Sequence, residues 1–130
     1  MILVDSDVLI THLRGMSVAH QWLLDARQRT GPLAVSVVSV AEILGGMRSG
    51  ERREVNRLLG ALQTLAVDDV VARLAGELRR RYRRSHAAIG IADHLIAATA
   101  LVHGCELATL NVKHFPMIDG LAAPFVLPSS

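Results

Sequence analysis

Ile2-Leu3-Val4-Asp5-Ser6-Asp7-Val8-Leu9-Ile10 is the stretch from which the fold is read. Three consecutive large aliphatics without alternation fit a short strand buried on both faces, as in a parallel sheet. The change to Asp5-Ser6-Asp7 brings small polar residues that start helices, with Ser6 as cap, and a helical turn or two follows from Asp7 to Leu13. A buried strand leading directly into a helix is the unit of an α/β fold, and an acid stands at its carboxyl end.

The same alternation continues along the chain. Helix is expected over Val18–Arg27, and strand over the β-branched run Leu33–Val37. Helices follow at Ser39–Met47 and from Glu51 to about Leu62, then a brief strand at Thr64–Val67. Asp68 or Asp69 caps a long helix towards Arg84, with Val71, Leu74, Ala75 and Leu78 at helical spacing. Ile91–His103 is a helix apolar almost all round, closed by Gly104 in the left-handed conformation. Glu106–Thr109 is a strand, and Phe125–Leu127 a candidate last one. Strands separated by helices pair in parallel through crossovers. With no internal repeat or long linker, residues 1–130 are expected to form one domain.

Composition narrows the class. Hydrophobic residues make up 51% and aromatics 3%, so the core is large and aliphatic and disorder is not expected. The single cysteine, Cys105, allows no internal disulfide and fits a reducing cytoplasm. No basic segment precedes an apolar stretch at the N-terminus, so no signal peptide is expected. The apolar helix near 91–102 is shorter than the roughly 20 residues of a membrane span and contains Asp93, His94 and Thr99.

Three acids stand in segments whose pattern says buried: Asp5, Glu42 in Ser39-Val40-Ala41-Glu42-Ile43-Leu44, and Asp93 in Gly90-Ile91-Ala92-Asp93-His94-Leu95. A lone buried carboxylate costs several kcal/mol or loses its charge, unless it is paired or binds a metal. Each also has a local explanation. Asp5 can cap a helix, Asp7 can favour a helix dipole, and Ser39-x-x-Glu42 matches a capping box. Asp93 can use the free amides of a helix start. His94, about 100° around the helix from Asp93, is expected to be a partly exposed polar residue. Thirteen of the fourteen basic residues are arginine, five of them in Arg79-Arg80-Arg81-Tyr82-Arg83-Arg84. This run reads either as a solvated helix end or as a phosphate-neutralising cluster.

Taken in order, these segments resemble the PIN-domain ribonucleases, and most closely the VapC toxins of VapBC toxin–antitoxin pairs. The resemblance rests on Val4-Asp5-Ser6-Asp7-Val8-Leu9-Ile10, Val35-Ser36-Val37-Val38-Ser39-Val40-Ala41-Glu42-Ile43, Ile91-Ala92-Asp93-His94-Leu95-Ile96-Ala97-Ala98 and Ala108-Thr109-Leu110-Asn111-Val112-Lys113-His114-Phe115. It implies a three-layer α/β/α sandwich with a mainly parallel sheet of four to five strands. It implies a Mg2+- or Mn2+-dependent endoribonuclease of structured RNA (tRNA or rRNA), a homodimer, and a cognate VapB antitoxin that blocks the site. On this reading Asp5 and Asp93 bind metal, Glu42 ligates it or orients water, and Asn111 orients the site. Asp7 and His114 are peripheral, and Arg14, Arg48, Arg79, Arg80, Arg81, Arg83 and Arg84 are rim residues that meet RNA. The chain departs from the pattern at the fourth motif, where many members carry an acid at or near the position of His114. One fewer acid favours a single well-held metal.

Two other classes remain. A PIN-like fold can serve as a non-catalytic binding module. Asp5-Ser6-Asp7-Val8 also fits the haloacid-dehalogenase phosphatases, but those need a later lysine followed by an acidic pair, and nothing of that kind follows Lys113.

Overall fold

A computed structural model describes residues 1–128. Its elements are β1 (Ile2–Val4), α1 (Ser6–Leu13), α2 (Ser17–Thr30), β2 (Ala34–Ser36), α3 (Val37–Gly46), α4 (Arg52–Gly60), β3 (Gln63–Leu65), α5 (Asp69–Tyr82), α6 (Ile91–His103) and β4 (Glu106–Ala108), followed by a 3-10 turn at Val112–His114. The strands form one parallel sheet in the order β3-β2-β1-β4.

The two-residue period of the strands sorts their side chains into two cores. Leu3, Ala34 and Leu107 point towards α5 and α6, joining Val71, Ala75, Leu78, Ile96, Ala97 and Phe115. Ile2, Val4, Val35 and Ala108 point the other way, against Val8 and Leu9 of α1, Leu23 and Ala26 of α2, Ile43 of α3 and Val55 of α4. The result is the expected three-layer sandwich, and β1 is buried on both sides.

Local chemistry sets the element ends. The Asp68 side chain accepts from the Val71 amide at 2.9 Å and caps α5. Gly104, at φ +64°, closes α6 in the left-handed region that a side chain would penalise. Five expectations are corrected. Asp5, rather than Ser6, is the N-cap of α1. Helix α3 starts two residues before Ser39, because Ser36 at the end of β2 already supplies its cap, accepting from the Val38 amide at 3.1 Å. The Ser39–Glu42 capping box therefore does not form; Ser39 is buried inside the helix with its hydroxyl unpaired. No strand forms at Phe125–Leu127, where Phe125 instead packs on Trp22 of α2 with ring centroids 6.4 Å apart. His94 is not exposed: α6 packs along α5 and the ring is 1% accessible.

Candidate active site

The chain runs from β1 outward to β2 and β3, then returns to place β4 on the other side of β1. The reversal makes the carboxyl ends of β1 and β4 a topological switch point, the place where open α/β sheets bind ligands. Asp5 lies at that point. Its amide donates to the Ala108 carbonyl at 2.8 Å, carrying the β1–β4 ladder one residue past the strands.

The Asp5 carboxylate is 5% exposed. One oxygen accepts from the Ser6 amide at 2.8 Å and the other from the Thr109 hydroxyl at 2.8 Å. Its pKa is pushed up from 3.8 to about 6, first by burial and then by the charge of Asp7, with a smaller push from Asp93. Asp7, in the first turn of α1, faces the same hydroxyl. Its Oδ2 accepts from Thr109 Oγ1 at 3.2 Å and from the Leu110 amide at 3.0 Å, while its Oδ1 is buried without a partner. Burial raises the Asp7 pKa as well, against the lowering effect of those hydrogen bonds.

Asp93 enters from the first turn of α6, where Gly90 supplies the N-cap but no side-chain acceptor. Its Oδ2 is 2.9 Å from His114 Nδ1. Glu42 is exposed on α3 and tied to this edge through Ser6, whose hydroxyl donates to Glu42 Oε1 at 3.2 Å. The structure thus joins Asp5, Asp7 and Asp93 in one field and attaches Glu42 at its margin. His114 is no periphery: it is Asp93's hydrogen-bonding partner. Asn111 contributes through its backbone, its amide donating to Thr109 Oγ1 at 3.1 Å.

Thr109, part of the fourth motif but given no role of its own by the sequence, is the hub. It is fully buried, and its one hydroxyl hydrogen serves two carboxylates. A hydroxyl at the carboxyl end of the strand paired with β1 was the available signal.

The arginines divide into two groups. Arg14 follows the last residue of α1, ~14 Å of helix rise from Asp5, and pairs with Glu51 at 2.7 Å. The Arg48 backbone amide also donates to Glu51, while its side chain is exposed. Arg79, Arg80, Arg81, Arg83 and Arg84 are exposed at the end of α5. Arg79, Arg80 and Arg83 line a groove with Gly76 and with Ile91, two residues before Asp93.

Among the described residues, no three His, Cys, Asp or Glu side chains form a ready-made metal cage. The donor set nevertheless fits a hard divalent cation, which needs only one or two carboxylates and keeps several waters. An unpartnered Asp7 oxygen, one hydroxyl hydrogen between two carboxylates and a raised Asp5 pKa all mark a shortage of positive charge there.

Fold and site together define a parallel α/β domain with a carboxylate centre at its switch point. The sequence matches the family profile described as "PIN domain" over residues 2–120. It is 60% identical over 128 residues to Ribonuclease VapC10 of Mycobacterium tuberculosis, covering 98% of this chain and 96% of that protein. It is 38% identical to Ribonuclease VapC19 of the same species, covering 95% and 98%. A toxin–antitoxin complex from Klebsiella pneumoniae contains a chain that superposes with a TM-score of 0.80 at 26% identity, covering 98% of this chain and 100% of that one. The chain belongs to the PIN-domain family, among its VapC members.

Proposed function

We propose that this protein is a divalent-metal-dependent endoribonuclease, the toxin of a VapBC-type pair, and that residues 1–130 act as one catalytic domain. The sharing of the Thr109 hydroxyl by Asp5 and Asp7, with the charge of Asp93 also felt at Asp5 and positive charge lacking, is the observation that carries this reading. The relatives' names supply the substrate class.

Asp5 and Asp93 would hold Mg2+ or Mn2+, with Glu42 at the margin positioning water. When bound, such a cation supplies positive charge to a phosphodiester and makes water a better nucleophile at neutral pH. The chain's own residues provide the rest. Thr109 and the Ser6 amide fix the Asp5 oxygens, and the Leu110 amide fixes Asp7. Burial removes bulk water from Asp5, which strengthens its attraction for a cation over what an exposed carboxylate would offer. Without a bound cation, Asp5, Asp7 and Asp93 would repel RNA phosphates. Arg79, Arg80 and Arg83, which line a groove with Ile91 at the start of α6, would take flanking phosphates bidentately.

The toxin assignment, including neutralisation by a VapB-type antitoxin, draws support from the solved neighbours. Besides the Klebsiella complex, one is FitAB bound to a DNA fragment, with a TM-score of 0.76 at 27% identity, covering 99% of each chain. No helix among the described residues is long and apolar enough to cross a membrane, and action in the cytoplasm as a homodimer is part of the proposal. Incubating the purified chain with total RNA, with Mg2+ or with chelator, tests it. Cleavage at defined sites only with the cation supports the reading. Equal cleavage with chelator, or full cleavage by Asp93→Asn, rejects it. The absence of any cleavage under all conditions would favour the non-catalytic binding module.

A further inference from the structure

His114 contacts Asp93, one of the two acids proposed to hold the cation. Its Nδ1 lies 2.9 Å from Asp93 Oδ2 across a sequence separation of 21 residues. An ionised carboxylate only accepts, so Nδ1 carries the hydrogen and donates. Among the described residues, Asp93 Oδ1 has no hydrogen-bond partner, and the carboxylate's two oxygens are thereby distinguished.

The imidazole is not a freely swinging surface group. The 3-10 turn holds its backbone, with the His114 amide donating to the Asn111 carbonyl at 3.0 Å. The next residue, Phe115, is 1% exposed and is anchored in the core formed with α5 and α6. The same short segment begins at Thr109, whose hydroxyl donates to the Asp5–Asp7 pair. Residues 109–114 therefore form a strap that delivers one donor to the acids of α1 and another to the acid of α6. An ionised acid at 114 would add a negative charge beside Asp93 and could not make this donation.

We propose that His114 is a positioning residue, which fixes the Asp93 carboxylate for cation binding by donating from Nδ1 to Oδ2 and leaves Oδ1 for the ion. It acts through Asp93 and does not itself ligate the metal. The inference rests on the divalent-cation reading of the site. It deepens that reading by assigning a role to a residue that the cation reading alone leaves unused. Partners that orient ligating groups in this way typically contribute 10–100-fold to metal affinity.

The test is calorimetric titration of the full chain with Mg2+ alone and with Mn2+ alone, so the readout is affinity and not cleavage. His114→Ala should weaken both ions by a similar factor, about 10-fold or more. His114→Asn should restore most of that loss, because the Asn amide nitrogen is attached to Cγ as Nδ1 is and can donate to the same oxygen. His114→Leu, which keeps bulk but has no donor, should behave like His114→Ala and serves in its place if the truncated variant does not fold. Unchanged affinity in both donorless variants overturns the proposal, because a structural ring would leave the ions unaffected. A loss confined to Mn2+ with no rescue by Asn also overturns it, since that is the signature of direct imidazole ligation. If the unaltered chain binds neither ion, the metal reading itself falls, and the positioning role with it. That outcome is separate from a result in which the chain binds both ions and the His114 variants bind them equally well.

Discussion

Asp5→Asn should make the metal-free protein more stable at neutral pH while removing its metal site. The folded-state pKa of Asp5 is raised from 3.8 to about 6, chiefly by burial. A raised acid holds its proton more tightly in the folded chain than in the unfolded one. The protonated form therefore supports the fold at low pH, and that support is lost as pH rises from about 4 to about 6. A shift of about two units at 1.36 kcal/mol each is worth roughly 3 kcal/mol. Asn has the same shape and never ionises, so it escapes this loss. It keeps one acceptor oxygen, however, and gives up one of the bonds from Ser6 or Thr109, at a cost of about 1 kcal/mol. The net gain near pH 7.5 is about 2 kcal/mol, or roughly 7 °C in melting temperature for a domain of this size. Thermal melts with chelator at pH 4 and pH 7.5 read it. The variant should equal or fall slightly below the parent at pH 4 and exceed it at pH 7.5, and saturating Mn2+ should stabilise only the parent. A variant less stable than the parent at both pH values, by the same amount, would refute the argument that Asp5 is an electrostatic burden without a cation.

Thr109→Val removes the hydroxyl shared by Asp5 and Asp7 while keeping the β-branched shape, and it should cost about 1–3 kcal/mol by denaturant unfolding, because the buried Asp5 and half-buried Asp7 each lose a donor. It should also raise the apparent pKa of Asp5, because that hydrogen bond lowers it; a pH titration of the carboxyl resonance would show the change. Leu3→Ala should cost about 2–5 kcal/mol in the same unfolding assay, since Leu3 is fully buried in the core shared with α5 and α6. Changing Arg79, Arg80 and Arg83 together to Gln should weaken RNA binding and reduce its salt dependence by about 0.7 in logarithmic slope for each phosphate contact to single-stranded RNA, with metal affinity unchanged.

The sandwich was readable because its signals are local. Uninterrupted aliphatics at Ile2–Val4, helical spacing from Val71 to Leu78 and Gly104 after an apolar helix each point to one structure. The errors came where two local signals competed. Ser36 and Ser39 are both good caps, and only the abrupt end of β2 at Ser36 decides between them. Phe125-Val126-Leu127 has strand composition, but Phe125 packs on Trp22 instead of extending the sheet. His94 reads as partly exposed from its direction on the helix relative to Asp93, whereas the packing of α6 along α5 buries it.

The acids themselves were visible because burial and charge conflict in their own segments. What connects them was not. The bonds from Thr109 to Asp5 and from His114 to Asp93 span 104 and 21 residues. They arise because β4 returns beside β1 and its exit segment crosses the start of α6. Arg14 shows the opposite failure: adjacent in sequence to the first helix, it is carried by that helix to its far end and into a pair with Glu51.

The most direct test of the cation site is a Mn2+ titration of the parent chain and Asp93→Asn by calorimetry, in buffers of different ionisation enthalpy between pH 5 and pH 7.5. Binding should involve one site, weaken below about pH 6 as Asp5 takes up a proton, release protons in that range, and be lost in the variant. Binding that is independent of pH and unchanged in Asp93→Asn would place the cation elsewhere and contradict the account.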